Sequence, residues 1–204
     1  VIDGDSTTSQ EPLSFSDDMT GSILRGFFRD GELDSVRLEG MATTLYHIFE
    51  DSIYQGNNRA SGDTIVLKFG EDDLESIFIS GGSEGTYTPD SLGSDIDGKV
   101  VYQSDKIKYN MQDESTDLLG EANIDYTDMN LKAGFINVAW RSNLLKALPS
   151  SDKDSTITPF RPTMIEEGNE PMVGDTMIYN LDSQNGKVIS CLLYTSPSPR
   201  DQVV

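Results

Sequence analysis

A gapless internal repeat limits what this chain can fold into more than any other feature. Residues 21–46 align with residues 62–87 at an offset of 41 residues, counted from Gly21 to Gly62. A third, looser copy keeps only the spacing between a glycine and a tyrosine. The matches are Gly21/Gly62, Phe28/Phe69, Leu33/Leu74, Ser35/Ser76, Gly40/Gly81, Tyr46/Tyr87 and, in the third copy, Gly120 and Tyr126. Repeats of about 20–50 residues are typical of stacked or solenoid-like architectures, in which neighbouring copies share a core.

Five short segments with a period of two residues mark the strands. Their apolar residues alternate with other residues, as in a half-buried β-strand, and no helical periodicity is comparably strong. Polar turns such as Arg29-Asp30-Gly31 separate paired strands. The segments are Leu24-x-Gly26-x-Phe28, Ile65-x-Leu67-x-Phe69, Ile107-x-Tyr109-x-Met111, Ile136-x-Val138-x-Trp140 and Met177-x-Tyr179-x-Leu181. We therefore predict an all-β fold of stacked antiparallel hairpins with almost no helix, as a barrel, jelly roll or β-solenoid.

The predicted strands are short, and several end close to a repeat glycine. They include 22–29 paired with 33–39 and then 41–49, 64–69 paired with 74–80 and then 83–88, and 116–120 followed by 121–126. Short strands of even spacing, joined by hairpin-sized turns, are typical of all-β folds.

Composition indicates a globular core with a strongly negative surface. The chain has 204 residues, with 15 Lys and Arg against 35 Asp and Glu, and a formal net charge of −20. Its apolar content is sufficient for a core. Such a surface repels phosphate backbones, so nucleic acid is excluded as a partner. No run approaches the roughly 20 apolar residues of a membrane-spanning helix, and no signal-peptide pattern opens the chain.

The chain divides into three parts. Residues 1–20 are rich in Asp, Ser and Thr and are expected to form a flexible lead-in. Residues 21–190 are expected to form one β-domain, interrupted by a long proline-rich loop over 149–172. Residues 191–204 resemble a translated sequencing adapter and are expected to be an artefact rather than part of the native chain. The only cysteine, Cys191, lies in that segment, so the preceding part of the chain offers no disulfide or thiolate.

Residues suited to catalysis or metal binding are scarce. His47 is the only histidine, and alternation places it on the outward, surface-facing side of its strand. With one His and no native Cys, the common zinc sites are excluded, and we predict no metal and no cofactor. Residues 94–98 lack the later ligands of a calcium loop and are interpreted as a turn. Asp63, Asp105 and Asp175 recur at predicted strand entrances, which indicates turn and hydrogen-bond roles rather than one active site.

Four phrases resemble the OstA-like family of lipopolysaccharide transport and assembly proteins, and the resemblance covers nearly all of residues 20–190. The phrases are Ala60–Ile65 (ASGDTI), Gly85-Thr86-Tyr87, Gly134–Val138 (GFINV) and Glu170–Asn180 (EPMVGDTMIYN). The last phrase, which follows a long loop, is most similar to the N-terminal periplasmic domain of LptD-type outer-membrane assembly members. It is less similar to the small soluble bridge members of the LptA type.

The resemblance implies a fold, a function and a location. Family members form a V-shaped antiparallel jelly roll whose apolar groove carries the acyl chains of lipid A, without covalent chemistry. They stack on other OstA-like jelly rolls by edge-strand pairing, and LptD-type chains continue into an outer-membrane barrel. The expected location is the periplasm, associated with the outer membrane, with a signal peptide that this fragment does not include.

The alternating segments independently predict an apolar stripe. If successive repeats pair in register, their inner residues form one continuous surface. Such a stripe can hold acyl chains without polar contacts, because each buried CH₂ contributes about 0.8 kcal/mol. The alternative is that the stripe packs on itself as a closed core. The candidate groove residues are Leu24, Phe28, Ile65, Leu67, Phe69, Ile107, Tyr109, Met111, Ile136, Val138, Trp140, Met177, Tyr179 and Leu181.

Two other classes of protein remain open at this point. A structural or adhesive cell-surface β-repeat protein would have a closed interior with no room for an acyl chain. A β-solenoid enzyme acting on polysaccharide would need carboxylates clustered on one exposed face of adjacent repeats, yet the repeated inner positions are apolar. The sequence therefore favours a non-enzymatic lipid conduit that binds lipopolysaccharide.

Overall fold

The computed structural model describes residues 15–70, 73–150 and 160–190, and it is built from a 13-stranded antiparallel sheet. The predicted all-β class is confirmed. Within these ranges Trp140–Ser142 forms a 3₁₀ turn, and no helix is long and apolar enough to cross a membrane. The strands are β1 (Asp18–Thr20), β2 (Ile23–Arg29), β3 (Glu32–Glu50), β4 (Ile53–Phe69), β5 (Leu74–Pro89), β6 (Val100–Asn110), β7 (Ser115–Tyr126), β8 (Met129–Ala139), β9 (Leu144–Leu148), β10 (Thr163–Glu166), β11 (Met172–Val173), β12 (Thr176–Asn180) and β13 (Asn185–Ile189).

Most strands that follow one another in the chain also lie next to one another in the sheet. The main path runs from β1 to β3, through β4 to β9, and then to β12 and β13. Strand β2 pairs with β3, and β10 pairs with both β8 and β11. The β2–β3 connection is a two-residue turn at Asp30 and Gly31, whose φ values of 53° and 91° fit type I′ geometry. The sheet is open, with β1 and β2 along one edge and β13 at the other.

Bulges occur where the sequence predicts strand ends. The pairing of β3 with β4 shifts between Glu39 and Ala42, and a comparable shift recurs in each pair up to β7 with β8. The repeat glycines Gly40, Gly81 and Gly120 lie in these bulges with φ values of 80°, 81° and 77°. The predicted strand ends at these glycines are wrong, because the hydrogen-bonded ladder continues past each bulge. A bulge bends its strand and increases its twist.

Each bulged strand turns so that its two halves face each other. In β6 the hydroxyl oxygens of Tyr102 and Tyr109 lie 2.7 Å apart although the residues are 7 positions apart. A straight strand would separate their Cα atoms by roughly 23 Å, at about 3.3 Å per residue. The sheet is therefore bent into two wings, as in the predicted jelly roll. Wing A contains 32–39, 64–69, 74–80, 106–110, 115–119 and 135–139 with β2, β9, β12 and β13; wing B contains 42–50, 53–61, 83–89, 100–103, 122–126 and 129–133 with β1, β10 and β11.

The core lies between the wings. Wing A contributes a row of apolar residues, one from each strand, that are paired across the sheet from β2 to β13. Wing B contributes smaller residues and tyrosines, among which Tyr87, Tyr102 and Tyr126 are at most 4% exposed. The wing A row is Leu24, Leu38, Ile65, Ile79, Ile107, Leu118, Ile136, Ala147, Met177 and Val188. Opposed aliphatic side chains of this kind stabilise neighbouring strands.

Two segments expected to be loops contain strands. Residues 15–20 fall in the expected flexible lead-in, but β1 pairs there with Thr43–Leu45 of β3. The proline-rich segment over 149–172 contains β10, which pairs with Met129–Lys132 of β8. Both strands are too short for alternation to be recognised. Residues 1–14, 71–72, 151–159 and 191–204, which include the adapter-like sequence, lie outside the described residues.

His47 points to the outer face of wing B, as alternation predicts, yet its side chain is only 15% exposed. Its backbone N–H donates to Oδ1 of Asp17 at 2.8 Å, and its ring Nδ1 lies 3.0 Å from the same oxygen. Phe15 covers the imidazole at a centroid distance of 5.0 Å and stacks on Tyr54 at 4.5 Å. The segment before β1 therefore covers this face, a contact that strand alternation alone does not predict.

Candidate functional site

The predicted groove residues lie on the inner face of wing A in rows that match the predicted register. Ile65, Ile107 and Ile136 belong to the row described above. Phe69, Met111, Trp140 and Leu181 follow at the ends of their strands. The second row, which includes other predicted residues, is Val36, Leu67, Ile77, Tyr109, Thr116, Val138, Leu145 and Tyr179.

Burial divides the predicted groove residues into three groups. Leu24 and Phe28 on the edge strand β2 are 67% and 71% exposed. Phe69, Met111 and Trp140 are partly buried and pack against the core. The remaining residues are at most 4% exposed, namely Ile65, Leu67, Ile107, Tyr109, Ile136, Val138, Met177, Tyr179 and Leu181. Protein side chains therefore fill the interior along most of wing A.

A cavity of about 430 Å³ lies at one end of the interior, between the two wings. This volume falls within the roughly 300–1,000 Å³ range of small-molecule sites. The rings of Tyr87 and Trp140, one from each wing, are 5.2 Å apart at the cavity wall. The apolar and aromatic residues of the wall are Tyr46, Ile48, Phe49, Tyr87, Ile96, Tyr109, Met111 and Trp140. Three of these, Tyr109, Met111 and Trp140, are predicted groove residues.

The rim of the cavity carries more negative than positive charge. Arg141 and Glu114 form a two-point ion pair, with nitrogen–oxygen distances of 2.6 and 3.2 Å. The hydrogen bond to Glu114 is the main reason that the pKa of Arg141 is raised. Glu50 and Asp95 add two further carboxylates to the lining. Because Arg141 is already paired, the rim does not attract anions. The aromatic part of the wall can accept an apolar group, whereas the rest of the lining is polar and includes Gln55, Ser94, Asn110, Ser115, Thr116 and Asn143.

A buried network of polar side chains joins the wings behind this cavity. The hydroxyl of Tyr102 donates to Oδ1 of Asn58 at 2.6 Å and lies 2.7 Å from the hydroxyl of Tyr109. Nδ2 of Asn58 donates to the hydroxyl of Tyr46 at 3.1 Å. We call these four residues the hydroxyl network. Tyr46 and Tyr109 line the cavity whereas Asn58 and Tyr102 do not, so the two hydroxyls point away from it into the core.

Burial keeps the hydroxyl network uncharged. Removal from water disfavours a phenolate, and this desolvation is the largest cause of the raised pKa values of Tyr46, Tyr102 and Tyr109. All three phenols therefore remain protonated at neutral pH. Each can donate one hydrogen bond and accept others, which the network of one asparagine and three hydroxyls requires.

Gly85 allows Tyr102 to reach across a strand. Tyr102 of β6 pairs directly with Gly85 of β5, and its ring passes over that glycine to reach Asn58 of β4. A Cβ at Gly85 would overlap the Cε2, Cζ and hydroxyl atoms of the Tyr102 ring. Glycine inside a strand often marks such a close approach.

We expect Gly85→Ala to lower the free energy of unfolding by about 1–3 kcal/mol, the usual cost of overpacking a core. The control is Gly26→Ala in β2, where the nearest atoms would be Phe28 and Leu33 carbons at ordinary distances of 3.5 and 3.7 Å. Equilibrium unfolding in denaturant measures both variants. Equal losses would contradict the role assigned to Gly85.

Sequence reasoning does not identify the wing B side of this site. Tyr46 stands out only as a repeat match, Tyr87 as a repeat match and as part of the phrase Gly85-Thr86-Tyr87, and Asn58 and Tyr102 carry no motif. Alternation over Thr44, Tyr46 and Ile48 is the signal that could find the first of them. No comparable signal exists for Asn58, because the alternation pattern assigns a polar residue to the outer face of a strand even when it lies inside.

The recurring aspartates do not form a reactive centre. Asp63 and Asp105 lie inside β4 and β6 at the bulges, close to Gly81 and Gly120, so the prediction that they mark strand entrances is wrong for both. Asp175 does precede β12 directly. In the described part of the chain, no group of three or more His, Cys, Asp or Glu side chains is placed to hold a metal ion.

Comparison with solved structures places this two-winged sheet in a known class of fold. The chain matches LptH of Pseudomonas aeruginosa, the LptA-homologous periplasmic component of a lipopolysaccharide transport device, with a TM-score of 0.58. The match covers 74% of this chain and 95% of LptH at 12% sequence identity. No protein-family model and no curated protein sequence matches the chain. At this identity the likeness defines the fold, which is an LptA-like antiparallel jelly roll.

Proposed function

We propose that this chain is a periplasmic, non-enzymatic component of lipopolysaccharide transport that binds acyl chains of lipid A between its wings. The observation that carries the proposal is the aromatic-walled cavity between the wings of a fold like that of LptH. An acyl chain on this wall gains about 0.8 kcal/mol per buried CH₂ and needs no polar partner. The apolar rows of wing A extend the same surface along the sheet.

A lipid with several acyl chains needs more room than the cavity has, so we expect the wings to separate when it binds. The hydrogen bonds Tyr102–Tyr109 and Tyr126–Leu181, at 2.7 and 3.1 Å, join the wings and would have to open. The strand ladders within each wing would remain intact, because the bend is located at the bulges. The buried apolar rows of wing A would then become part of the groove.

The sheet edges suit a partner that adds strands. On β2 the residues Ile23, Leu24, Phe27 and Phe28 are 46%, 67%, 48% and 71% exposed. An exposed apolar edge is an aggregation hazard unless another strand covers it. Pairing with another OstA-like jelly roll would cover β2 by β-augmentation, and β13 offers the opposite edge.

Within this function, we favour an LptD-type chain over an LptA-type bridge. The reason is the phrase Glu170–Asn180, which forms β11 and β12 in the structure. Such a chain would lie in the periplasm in association with the outer membrane and would be joined to an outer-membrane barrel. The match to LptH supports the transport class and does not separate the two types.

A structural or adhesive β-repeat protein is the alternative. Its supporting observation is the burial of the wing A row, in which Ile65, Ile107 and Ile136 are 0% exposed, as in a permanently closed core. The cavity between the wings and the exposed apolar face of β2 favour a ligand and a partner instead.

Photocrosslinking from the two faces of the sheet tests the proposal. A photoreactive amino acid replaces Met111 or Trp140 on the cavity wall, or Arg37 or Lys108 on the outer face as a control. Each variant is mixed with lipopolysaccharide or with phospholipid. We expect lipopolysaccharide adducts at Met111 and Trp140 and only background labelling at Arg37 and Lys108. Equal labelling of both faces, or no labelling at either, would favour the structural protein.

A further inference from the structure

We propose that the hydroxyl network is the floor of an acyl-chain pocket and sets the length of chain that the cavity accepts. This inference rests on the proposed function and adds a determinant of specificity to it. It concerns one acyl chain bound while the wings are closed, before a larger lipid opens the Tyr102–Tyr109 hydrogen bond. Tyr46 of wing B and Tyr109 of wing A meet edge to face, with ring centroids 5.8 Å apart and an angle of 78° between the rings. Both rings line the cavity, so together they close the space between the wings at its inner end.

Hydrogen bonds hold this floor from behind. Asn58 accepts from Tyr102 and donates to Tyr46, while Tyr102 also bonds to Tyr109, so each ring is tied to the same buried pair. Asn58 is 0% exposed, and Tyr102 and Tyr109 are each 2% exposed. Moving either ring would leave a buried polar group without a hydrogen-bond partner. The free energy that this costs is larger than the stabilisation that an ordinary hydrogen bond contributes. The close contact of Tyr102 with Gly85 fixes the network further.

The interior next to the floor in wing A has no space for more of a chain. Leu67 and Ile77, which neighbour Tyr109 in the second row, are 1% and 2% exposed. Nε1 of Trp140 donates to the hydroxyl of Thr116 at 2.8 Å. Because this polar group of the indole already has a partner, the Trp140 ring can contact a ligand through its carbon atoms. An apolar chain can therefore lie along this wall, and its terminal methyl group stops at Tyr46 and Tyr109.

A fixed floor has a measurable consequence for ligands of increasing length. Affinity should rise by about fourfold for each added CH₂ while the chain fills the cavity. It should stop rising once the terminal methyl group reaches the floor. Leucine in place of either tyrosine shortens the side chain and removes the hydroxyl, so the affinity should continue to rise for at least one further CH₂.

The experiment measures the affinity of the full chain for alkyl maltosides of stepwise increasing length, each kept below its micelle-forming concentration. An uncharged headgroup is used because Glu50, Asp95 and Glu114 lie at the rim. The variants are Tyr109→Leu and Tyr46→Leu, so that one remains informative if the other fails to fold. The control is Tyr126→Leu, the same substitution at a buried tyrosine whose hydroxyl donates to the Leu181 carbonyl, away from the cavity.

The expected result is a plateau for the unaltered chain that moves to longer ligands in Tyr109→Leu and Tyr46→Leu but not in Tyr126→Leu. Each additional CH₂ accommodated should tighten binding by about fourfold relative to the unaltered chain. A plateau at the same length in both variants, or an equal shift in the control, would overturn the floor while leaving acyl binding intact. Failure of the unaltered chain to bind any length would overturn the proposed function and the floor together.

Discussion

Replacing Gly81 by alanine is expected to lower the free energy of unfolding by about 3 kcal/mol, through two effects at the β5 bulge. Gly81 has φ of 81°, where an L side chain costs roughly 1–2 kcal/mol. The new Cβ would also lie 2.7 Å from the Cβ of Asp63 on β4. That atom is fixed to the backbone and cannot rotate away, so overpacking adds roughly 1–3 kcal/mol.

The neighbouring glycine provides a matched control. Gly82 also has positive φ, at 62°, but a Cβ there would meet no atom within 4 Å. Gly82→Ala should therefore show only the backbone cost, about 1 kcal/mol. Equilibrium denaturant unfolding gives both values on the same scale. If the two variants lost equal stability, backbone conformation alone would explain the repeat glycine, and the close contact with Asp63 would have no role.

The sequence is sufficient to predict which residues of wing A face the interior, except on the edge strand β2, where Leu24 and Phe28 are 67% and 71% exposed. Alternation with period two fixes the face of each strand, and the repeat fixes how successive strands align. Segments such as Ile65-x-Leu67-x-Phe69 and Ile136-x-Val138-x-Trp140 therefore give the rows correctly. Antiparallel neighbours joined by short turns complete the prediction of the sheet.

The bends could not be predicted, because one residue type serves two purposes. Glycine with positive φ ends strands at turns, as at Gly31, and bends strands at bulges, as at Gly40 and Gly81. From the sequence alone, a glycine at a turn and a glycine at a bulge are both predicted to end a strand. The distinction depends on whether the neighbouring strands resume pairing beyond the glycine, which is a tertiary property.

The hydroxyl network depends on those bends, so the sequence does not predict it either. Asn58 and Tyr102 are 44 positions apart, and Tyr102 meets Tyr109 only because β6 is bent. Hydrophobic patterning treats a buried asparagine as an outward residue, although its partners satisfy it inside the core. The residues that wing B contributes to the candidate site are therefore identified by the structure and not by the hydrophobic pattern of the sequence.

The stability of the chain is expected to fall steeply at alkaline pH because of the three buried tyrosines of the hydroxyl network. An unfolded tyrosine loses its proton near pH 10, whereas burial raises the pKa values of Tyr46, Tyr102 and Tyr109 in the folded protein. Their contribution is fully present below about pH 10 and is lost as pH rises from there toward the raised folded values. Above about pH 10, and below the raised folded values, each tyrosine should contribute a slope that approaches about 1.4 kcal/mol per pH unit, and the three together about 4 kcal/mol per pH unit.

Variants separate this slope from the general repulsion of a chain with a net charge of −20. Tyr46→Phe and Tyr109→Phe each remove one titrating hydroxyl and leave the net charge at neutral pH unchanged, so each should reduce the slope above about pH 10 by about 1.4 kcal/mol per pH unit. The reduction is less than a third of the total, because burial also raises the pKa values of Tyr87, Tyr126 and Tyr179. Added salt screens the surface repulsion and should leave the buried contribution almost unaffected. The measurement is the free energy of unfolding in denaturant at several pH values between about 8 and about 11. A slope that salt abolishes, and that both phenylalanine variants share with the unaltered chain, would show that surface charge and not the hydroxyl network limits stability in alkali.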